Sequence, residues 1–217
     1  MFEIIISALI GYLLGSIPFG LILTKMCGYG DIRDIGSGNI GATNVLRTGN
    51  KKLAIATLLL DALKGAVAIS IVKIMMPDSS VLDCAVPNTC GYTQATIYSA
   101  TLITALFALL GHIFPIWLKF KGGKGVATGL GILLTLSWPT GLAAAATWVI
   151  TAFLSRISSL SALVAVSLSP VFAYLFSQDA KLTILCAIMA IIIVSKHHTN
   201  IKRLLKGEEP KIGKKKE

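Results

Sequence analysis

Three short segments concentrate the residues able to handle a phosphate or a carbonyl group. The first is Gly36-Ser37-Gly38-Asn39-Ile40-Gly41-Ala42-Thr43-Asn44, followed by Arg47. Glycines let backbone N–H groups approach an anion, while Ser37, Asn39, Thr43 and Asn44 offer hydrogen bonds. Arg47 can grip a phosphate with two parallel bonds. The spacing matches G-x-G-x-x-G, but the dinucleotide fingerprint needs a preceding strand inside a βαβ unit. An apolar run precedes this segment, and that reading fails. A glycine-rich turn with helix caps is the structural alternative.

The second segment runs from Gly111-His112-Ile113-Phe114-Pro115 through Lys119 and Lys121-Gly122-Gly123-Lys124-Gly125 to Thr128. It is not a Walker A loop, because Gly125 stands where a Ser or Thr must follow the lysine. Flexible glycines, lysines and a helix start still favour phosphate. Lysines facing the cytoplasm would explain Lys119, but not the glycines at 122, 123, 125 and 129. His112 lies on an apolar run and reads as a packing histidine.

The third segment is 196–209. On a helix, His197, Asn200 and either Arg203 or Leu204 share a face, and a histidine, an amide and an arginine together can hold a phosphate or position an oxyanion. Anionic lipid would attract Lys206 and Lys214–Lys216, at about 1 kcal/mol per cation. It predicts neither His197 nor Glu209. Arg156 with Ser158 and Ser159 adds a cation and two hydroxyls.

The elements that position these segments are membrane spans. Apolar residues make up 54% of the 217 and charged residues 14%, where a soluble domain carries about 25% charged. Mean hydropathy is +0.78. A soluble domain and a disordered chain are both excluded. The net charge of +10 sits between apolar runs, which favours a basic cytoplasmic face over a nucleic-acid surface. Spans are expected at 4–24, 53–76, 95–118, 124–138, 139–155, 157–177 and 180–195, most near the roughly 20 residues a crossing needs. The division at Trp138-Pro139 makes two tilted spans of about 16 residues, each rising about 24 Å.

Charge supports seven spans rather than six. Lys25, Arg33, Arg47, Lys51, Lys52, Lys119, Lys121, Lys124, Arg156 and the basic tail then share one side. Glu3, Asp78, Asp83 and Asp179 take the other, with Lys181 as its one cation. The positive-inside rule places the amino terminus outside and the carboxyl terminus in the cytoplasm. The start, Met1-Phe2-Glu3-Ile4, lacks a basic n-region and a cleavage site, so it reads as a retained span. The expected fold is therefore all-α, one polytopic seven-helix domain over 1–217.

Within the second span, Asp61 and Lys64 stand three apart on one helical face. A structural ion pair is the favoured reading and a substrate role the alternative. Cys27, Cys84, Cys90 and Cys186 lack metal-ligand spacing, so no metal site is expected. Cys84 and Cys90 share a polar loop, where a disulfide and two isolated thiols both fit.

Taken together, these residues resemble the bacterial acyl-phosphate:glycerol-3-phosphate acyltransferases of the PlsY type. The resemblance includes Gly15-Ser16-Ile17-Pro18-Phe19-Gly20, Gly36–Asn44 with Arg47, Asp61 with Lys64-Gly65, and Gly111–Thr128. It continues through Arg156 with Ser159-Leu160 to His197-x-x-Asn200-Ile201-x-Arg203-Leu204-x-x-Gly207-x-Glu209. The 77–94 loop looks long for the family. The resemblance implies acyl transfer from acyl phosphate to the 1-hydroxyl of sn-glycerol 3-phosphate, giving lysophosphatidic acid and phosphate, the first acylation in phospholipid synthesis. It implies a bacterial inner-membrane enzyme with a cytoplasmic active site, without a cofactor, working on membrane lipid precursors, not nucleic acid, and associated with the enzyme that makes acyl phosphate.

By the same resemblance, His197, Asn200 and Ser37 are catalytic. Gly38, Asn39, Thr43, Asn44, Arg47, Lys121, Gly122, Gly123, Lys124, Gly125, Thr128, Arg156, Ser159 and Arg203 bind substrate or phosphate. Asp61, Lys64, His112, Gly207 and Glu209 support the site. Other glycerol-phosphate acyltransferases use a His-x4-Asp pair, but Trp117, Lys202 and Arg203 stand five residues beyond the three histidines. An acyl phosphate needs little acid catalysis, because its leaving group is stable phosphate, which can itself accept the proton. A transporter for an anionic metabolite is the competing function, yet no internal repeat is evident and the polar segments gather at one interface. A scaffold that binds anionic lipid is a third reading, and it needs only the basic tail.

Overall fold

The computed structural model describes residues 2–79 and 91–212, in which every regular element is helical. The Cys84–Cys90 question and the terminal lysines lie outside the described residues. In chain order the helices are α1 (Phe2–Gly15), α2 (Phe19–Met26), α3 (Ala42–Val45), α4 (Lys51–Met75) and α5 (Gln94–Ile113). There follow α6 (Val126–Leu136), α7 (Trp138–Ser155), α8 (Ser158–Ser177), α9 (Ala180–Lys196) and α10 (His198–Leu205). Phe2–Met26, Lys51–Met75, Gln94–Leu118 and Ser158–Ser177 are long and apolar enough to cross a membrane. The bent pair α9–α10, with 64° between its halves, becomes a fifth if taken as one span.

Two expectations change here. The first expected span is broken at Ser16-Ile17-Pro18, where Pro18 has no N–H and its ring biases Ile17 away from helix. The expected span at 124–138 shrinks to α6, whose 11 residues rise only about 16 Å. Its first residues are drawn into the loop that precedes it, and Ser137 ends it. The division at Trp138-Pro139 does appear, with Pro139 in the first turn of α7.

Glycines let α1 and α5 approach backbone to backbone. A side chain at Gly15 would strike the Ala108 carbonyl, and one at Gly111 the Tyr12 carbonyl. Such small residues do the work of association where lipid offers no hydrophobic drive. Around α5, the main core collects Ile69, Leu109, Ile113, Ile132, Leu133, Leu185, Met189 and Ile193. Phe153, Leu154, Tyr174 and Ile191 face outward.

The broken helix frees carbonyls, and polar side chains collect them. Trp117 Nε1 donates to Ser16 O at 3.1 Å and to Ser16 Oγ at 2.8 Å. Lys64 Nζ donates to Ile17 O at 2.9 Å and to His112 Nδ1 at 2.8 Å. Asp61 Oδ1 lies 3.1 Å from the same ammonium, an ion pair outside good hydrogen-bond alignment. Three acceptors thus surround a lysine that is 4% exposed. The pair on α4 is present as an ion pair, and Lys64 ties the α1–α2 break to α4 and α5.

Removing one member should be costly. Lys64→Met should lower stability by about 3–5 kcal/mol, because it leaves the Asp61 carboxylate buried and uncompensated. Adding Asp61→Leu should recover most of that loss in thermal unfolding of the detergent-solubilised protein. An equal loss in the single and double variants would contradict this account.

Candidate active site

A cavity of about 510 Å³ opens between the 36–47 loop, α6 to α10 and the residues after α10. All three segments singled out in the sequence contribute to it. Several of their residues, however, serve the scaffold rather than the cavity.

The 36–47 loop is wired by Asn44, which is 2% exposed. Its Nδ2 donates to the carbonyls of Ile32, Ile35 and Asn39 at 3.0, 2.9 and 2.8 Å. Its Oδ1 accepts from Ser37 N at 3.0 Å and Ser37 Oγ at 3.1 Å. A side-chain amide has little capacity beyond this. Although Asn44 borders the cavity, these bonds make it the brace of the loop rather than a ligand for phosphate. Ser37 uses its proton on Asn44, so its Oγ meets the cavity with lone pairs. Asn39, Thr43 and Arg47 also line the cavity, whereas Gly38 turns the chain outside it.

The glycine–lysine segment folds back onto the end of α5. Gly122 N donates to Ile113 O at 3.1 Å and Gly123 N to His112 O at 3.0 Å. Those N–H groups, expected to cradle phosphate, are therefore occupied. Lys121 is exposed and outside the cavity lining. Thr128 donates to Asp61 O at 2.8 Å and fastens α6 to α4, so it too is structural. Lys124, Gly125, Val126 and Ala127 do reach the cavity. They form the start of α6, which no side chain caps. Helix starts present unpaired N–H groups and partial positive charge, which suits an anion.

Glu209 organises the third side. Its Oε1 accepts from Ser159 Oγ at 2.7 Å and Asn200 Nδ2 at 2.5 Å, and its Oε2 from Arg203 Nε at 2.6 Å. The chain turns back toward the cavity because Gly207 sits at φ +70°. Gly207 N bonds Leu204 O and Glu208 N bonds Arg203 O, the paired bonds of a Schellman cap. Asn200 is oriented in turn, since its Oδ1 accepts from Lys124 Nζ at 2.5 Å. Arg156 stands outside the cavity, and its carbonyl accepts from Ile212 N at 2.7 Å, anchoring the returning tail.

His197 is 2% exposed and lines the cavity, with Nδ1 2.8 Å from Ile193 O. A carbonyl only accepts, so Nδ1 carries a proton, and burial disfavours a second one, which leaves Nε2 as an acceptor. His198 is exposed and outside the cavity lining. Asp61 and His112 border the cavity, while Lys64 lies behind them.

Burial pushes Lys124 below the usual lysine range, with Arg203 and Arg47 adding to the fall and Glu209 opposing it. Burial would raise the Glu209 carboxyl, but the bonds from Ser159, Arg203 and Asn200 outweigh it and leave it lowered. Among the described residues, no clustered histidine, cysteine or carboxylate set could hold a metal ion.

Sequence reasoning missed the lower half of the cavity. Leu133, Ala144, Trp148, Val166, Ser169 and Met189 line it, and nothing in an apolar run separates a cavity-facing side chain from a lipid-facing one. The Ser158 hydroxyl does reach the site, its Oγ lying 3.3 Å from Thr43 Oγ1 across the cavity rim.

The glycerol-3-phosphate acyltransferase family model matches residues 5–207. A glycerol-3-phosphate acyltransferase of Caulobacter vibrioides is 54% identical over 206 residues, covering 95% of this chain and 86% of that protein. One from Paramagnetospirillum magneticum is 50% identical over 216 residues, covering 100% and 97%. Among solved structures, the integral membrane glycerol 3-phosphate acyltransferase PlsY, in its glycerol 3-phosphate form, superposes with a TM-score of 0.82. It shares 31% identity, with 97% of this chain and 96% of that chain covered.

The lowered Lys124 has a direct consequence for anion binding. The ammonium loses its proton at a lower pH than an ordinary lysine, so affinity for inorganic phosphate should fall as pH rises toward the lysine range. Lys124→Arg should hold affinity across that interval, because guanidinium stays protonated. Calorimetric titration of both proteins tests this, and identical pH profiles would contradict the assignment.

Proposed function

The chain belongs to the glycerol-3-phosphate acyltransferase family, and on that premise we propose the following reaction for this integral membrane acyltransferase. It moves an acyl chain from acyl phosphate to the 1-hydroxyl of sn-glycerol 3-phosphate, releasing lysophosphatidic acid and phosphate. The observation that carries the proposal is one cavity with two unlike ends. Its polar end presents Arg47, Lys124, Arg203 and the start of α6, and its other end is lined by apolar side chains. Two phosphates and one hydrocarbon tail have these needs.

The residues divide the work. Lys124 and the N–H groups of 125–127 receive the donor phosphate, with Asn39 and Thr43 at the rim. Arg47 and Arg203 receive the acceptor phosphate, near Ser159. Ser37 Oγ and His197 Nε2 accept from the glycerol hydroxyls and aim the 1-hydroxyl at the acyl carbon. Asn200, held between Lys124 and Glu209, keeps that register. As the C–O bond forms, charge develops on the carbonyl oxygen and is met by donors already in place. The carbonyl–phosphate bond then breaks, and the departing phosphate takes the hydroxyl proton. His197 acts by hydrogen bonding and positioning.

The same proposal keeps seven helical passes, with α6 as a short one, and puts the amino terminus outside and the carboxyl terminus inside. It locates the polar end on the cytoplasmic side of the bacterial inner membrane, where glycerol 3-phosphate is supplied. Contact with the enzyme that makes acyl phosphate would shorten the path of a hydrolysable anhydride. A transporter reading has less support, because the polar groups lie at one end of the bundle.

Purified protein in vesicles, given labelled glycerol 3-phosphate, should form lysophosphatidic acid with acyl phosphate and not with acyl thioesters. Turnover with a thioester alone would overturn the proposed donor. In the same assay His197→Ala should lose about two orders of magnitude, while His197→Gln keeps a measurable part and His198→Ala stays near wild type. An inert His198→Ala beside an active His197→Ala would reverse the assignment.

A further inference from the structure

Below its polar end the cavity continues between α6, α7, α8 and α9. Ser159 lies at the top of α8 and Ser169 is the last residue of that helix on the cavity wall. At 1.5 Å per residue the two are about 15 Å apart along the axis. Half the roughly 30 Å hydrocarbon core of a bilayer is the same length, which is the depth one membrane acyl tail occupies.

The cavity stops at that depth for a reason visible in the packing. One turn beyond Ser169, Ala173 is 0% exposed and part of the main core. On α7, which runs the opposite way, the residue one turn deeper than Ala144 is Gly141. A side-chain carbon there would stand 2.6 Å from the Leu134 backbone nitrogen, so α6 and α7 touch main chain to main chain. That contact closes the gap between α6 and α7 below Ala144. Just above it lie Leu133, Ala144 and Ser169, 6%, 5% and 4% exposed. The Ser169 hydroxyl folds back onto Val166 O at 2.8 Å and gives the floor no free polar donor.

We propose that Leu133, Ala144 and Ser169 form a floor that sets the longest acyl chain the enzyme accepts. The inference rests on the acyl-donor reading above and extends it to specificity. Each methylene of a donor gains by leaving water until the tail meets the floor. Beyond that point, further carbons must distort the packed helices or leave the cavity. Ala144 and Ser169 are small, so the present depth depends on what they lack.

The test compares decanoyl phosphate with hexadecanoyl phosphate in vesicles, at a fixed glycerol 3-phosphate concentration. In Ala144→Leu and in Ser169→Leu, kcat/KM for hexadecanoyl phosphate should fall about tenfold or more relative to decanoyl phosphate. A cooperative thermal unfolding transition in detergent reports separately that each variant is folded, so the ratio is read on intact protein. Leu133→Ala removes bulk instead of adding it, and should raise the relative rate with octadecanoyl phosphate. A hexadecanoyl-to-decanoyl ratio unchanged in these variants overturns the floor while leaving the donor reading intact. A wild-type protein inert with every acyl phosphate overturns both.

Discussion

The carboxylate of Glu209 is the contact on which the polar end of the cavity depends. It gathers a hydroxyl from α8 and an amide and a guanidinium from α10, and through Asn200 it reaches Lys124 at the start of α6. Without a counter-charge, Lys124 and Arg203 would repel each other in a partly buried space. With it, the amide of Asn200 has one orientation, carbonyl toward the lysine and N–H toward the carboxylate. Neither Lys124 nor Arg47 forms an ion pair among the described residues. Their charge is available to a ligand.

A second polar cluster does a different task. The Lys64–Asp61–His112 group closes the broken helix between α1 and α2 and forms the wall behind the cavity. Thr128 then fixes α6 against the same part of α4. The start of α6 is thus set by bonds that a ligand does not touch. Positioning of this kind is what lets N–H groups and a lysine stabilise charge without rearrangement during reaction.

Much of this was legible in the residues. An Asp and a Lys three apart on one helical face can form an ion pair, and Asp61 and Lys64 do. The spacing of His197, Asn200 and Arg203 placed them on one side, and all three line the cavity. Glu209 stood out because a lipid-binding tail has no use for it. Other residues misled for one shared reason. Asn44, Thr128 and the N–H groups of Gly122 and Gly123 have the right chemistry for a ligand, but the chain itself occupies it. A sequence displays donors and acceptors, and only the fold shows which are already taken. The first span illustrates the same limit, since Pro18 signals a break but not the lysine that stabilises it. The apolar half of the cavity carried no signal, because side chains facing a tail and side chains facing lipid are the same types.

In the proposed reaction one cavity holds the donor's phosphate against the start of α6 and its tail along α7 and α8. A structure of this protein with a non-hydrolysable acyl phosphonate bound shows whether it does. The phosphonate should lie within hydrogen-bond reach of Lys124 Nζ and the N–H groups of residues 125–127, with the tail ending near Ala144. A phosphonate bound on the exposed lysine side of the 119–122 turn, or a tail lying outside the helices in lipid, would contradict the account.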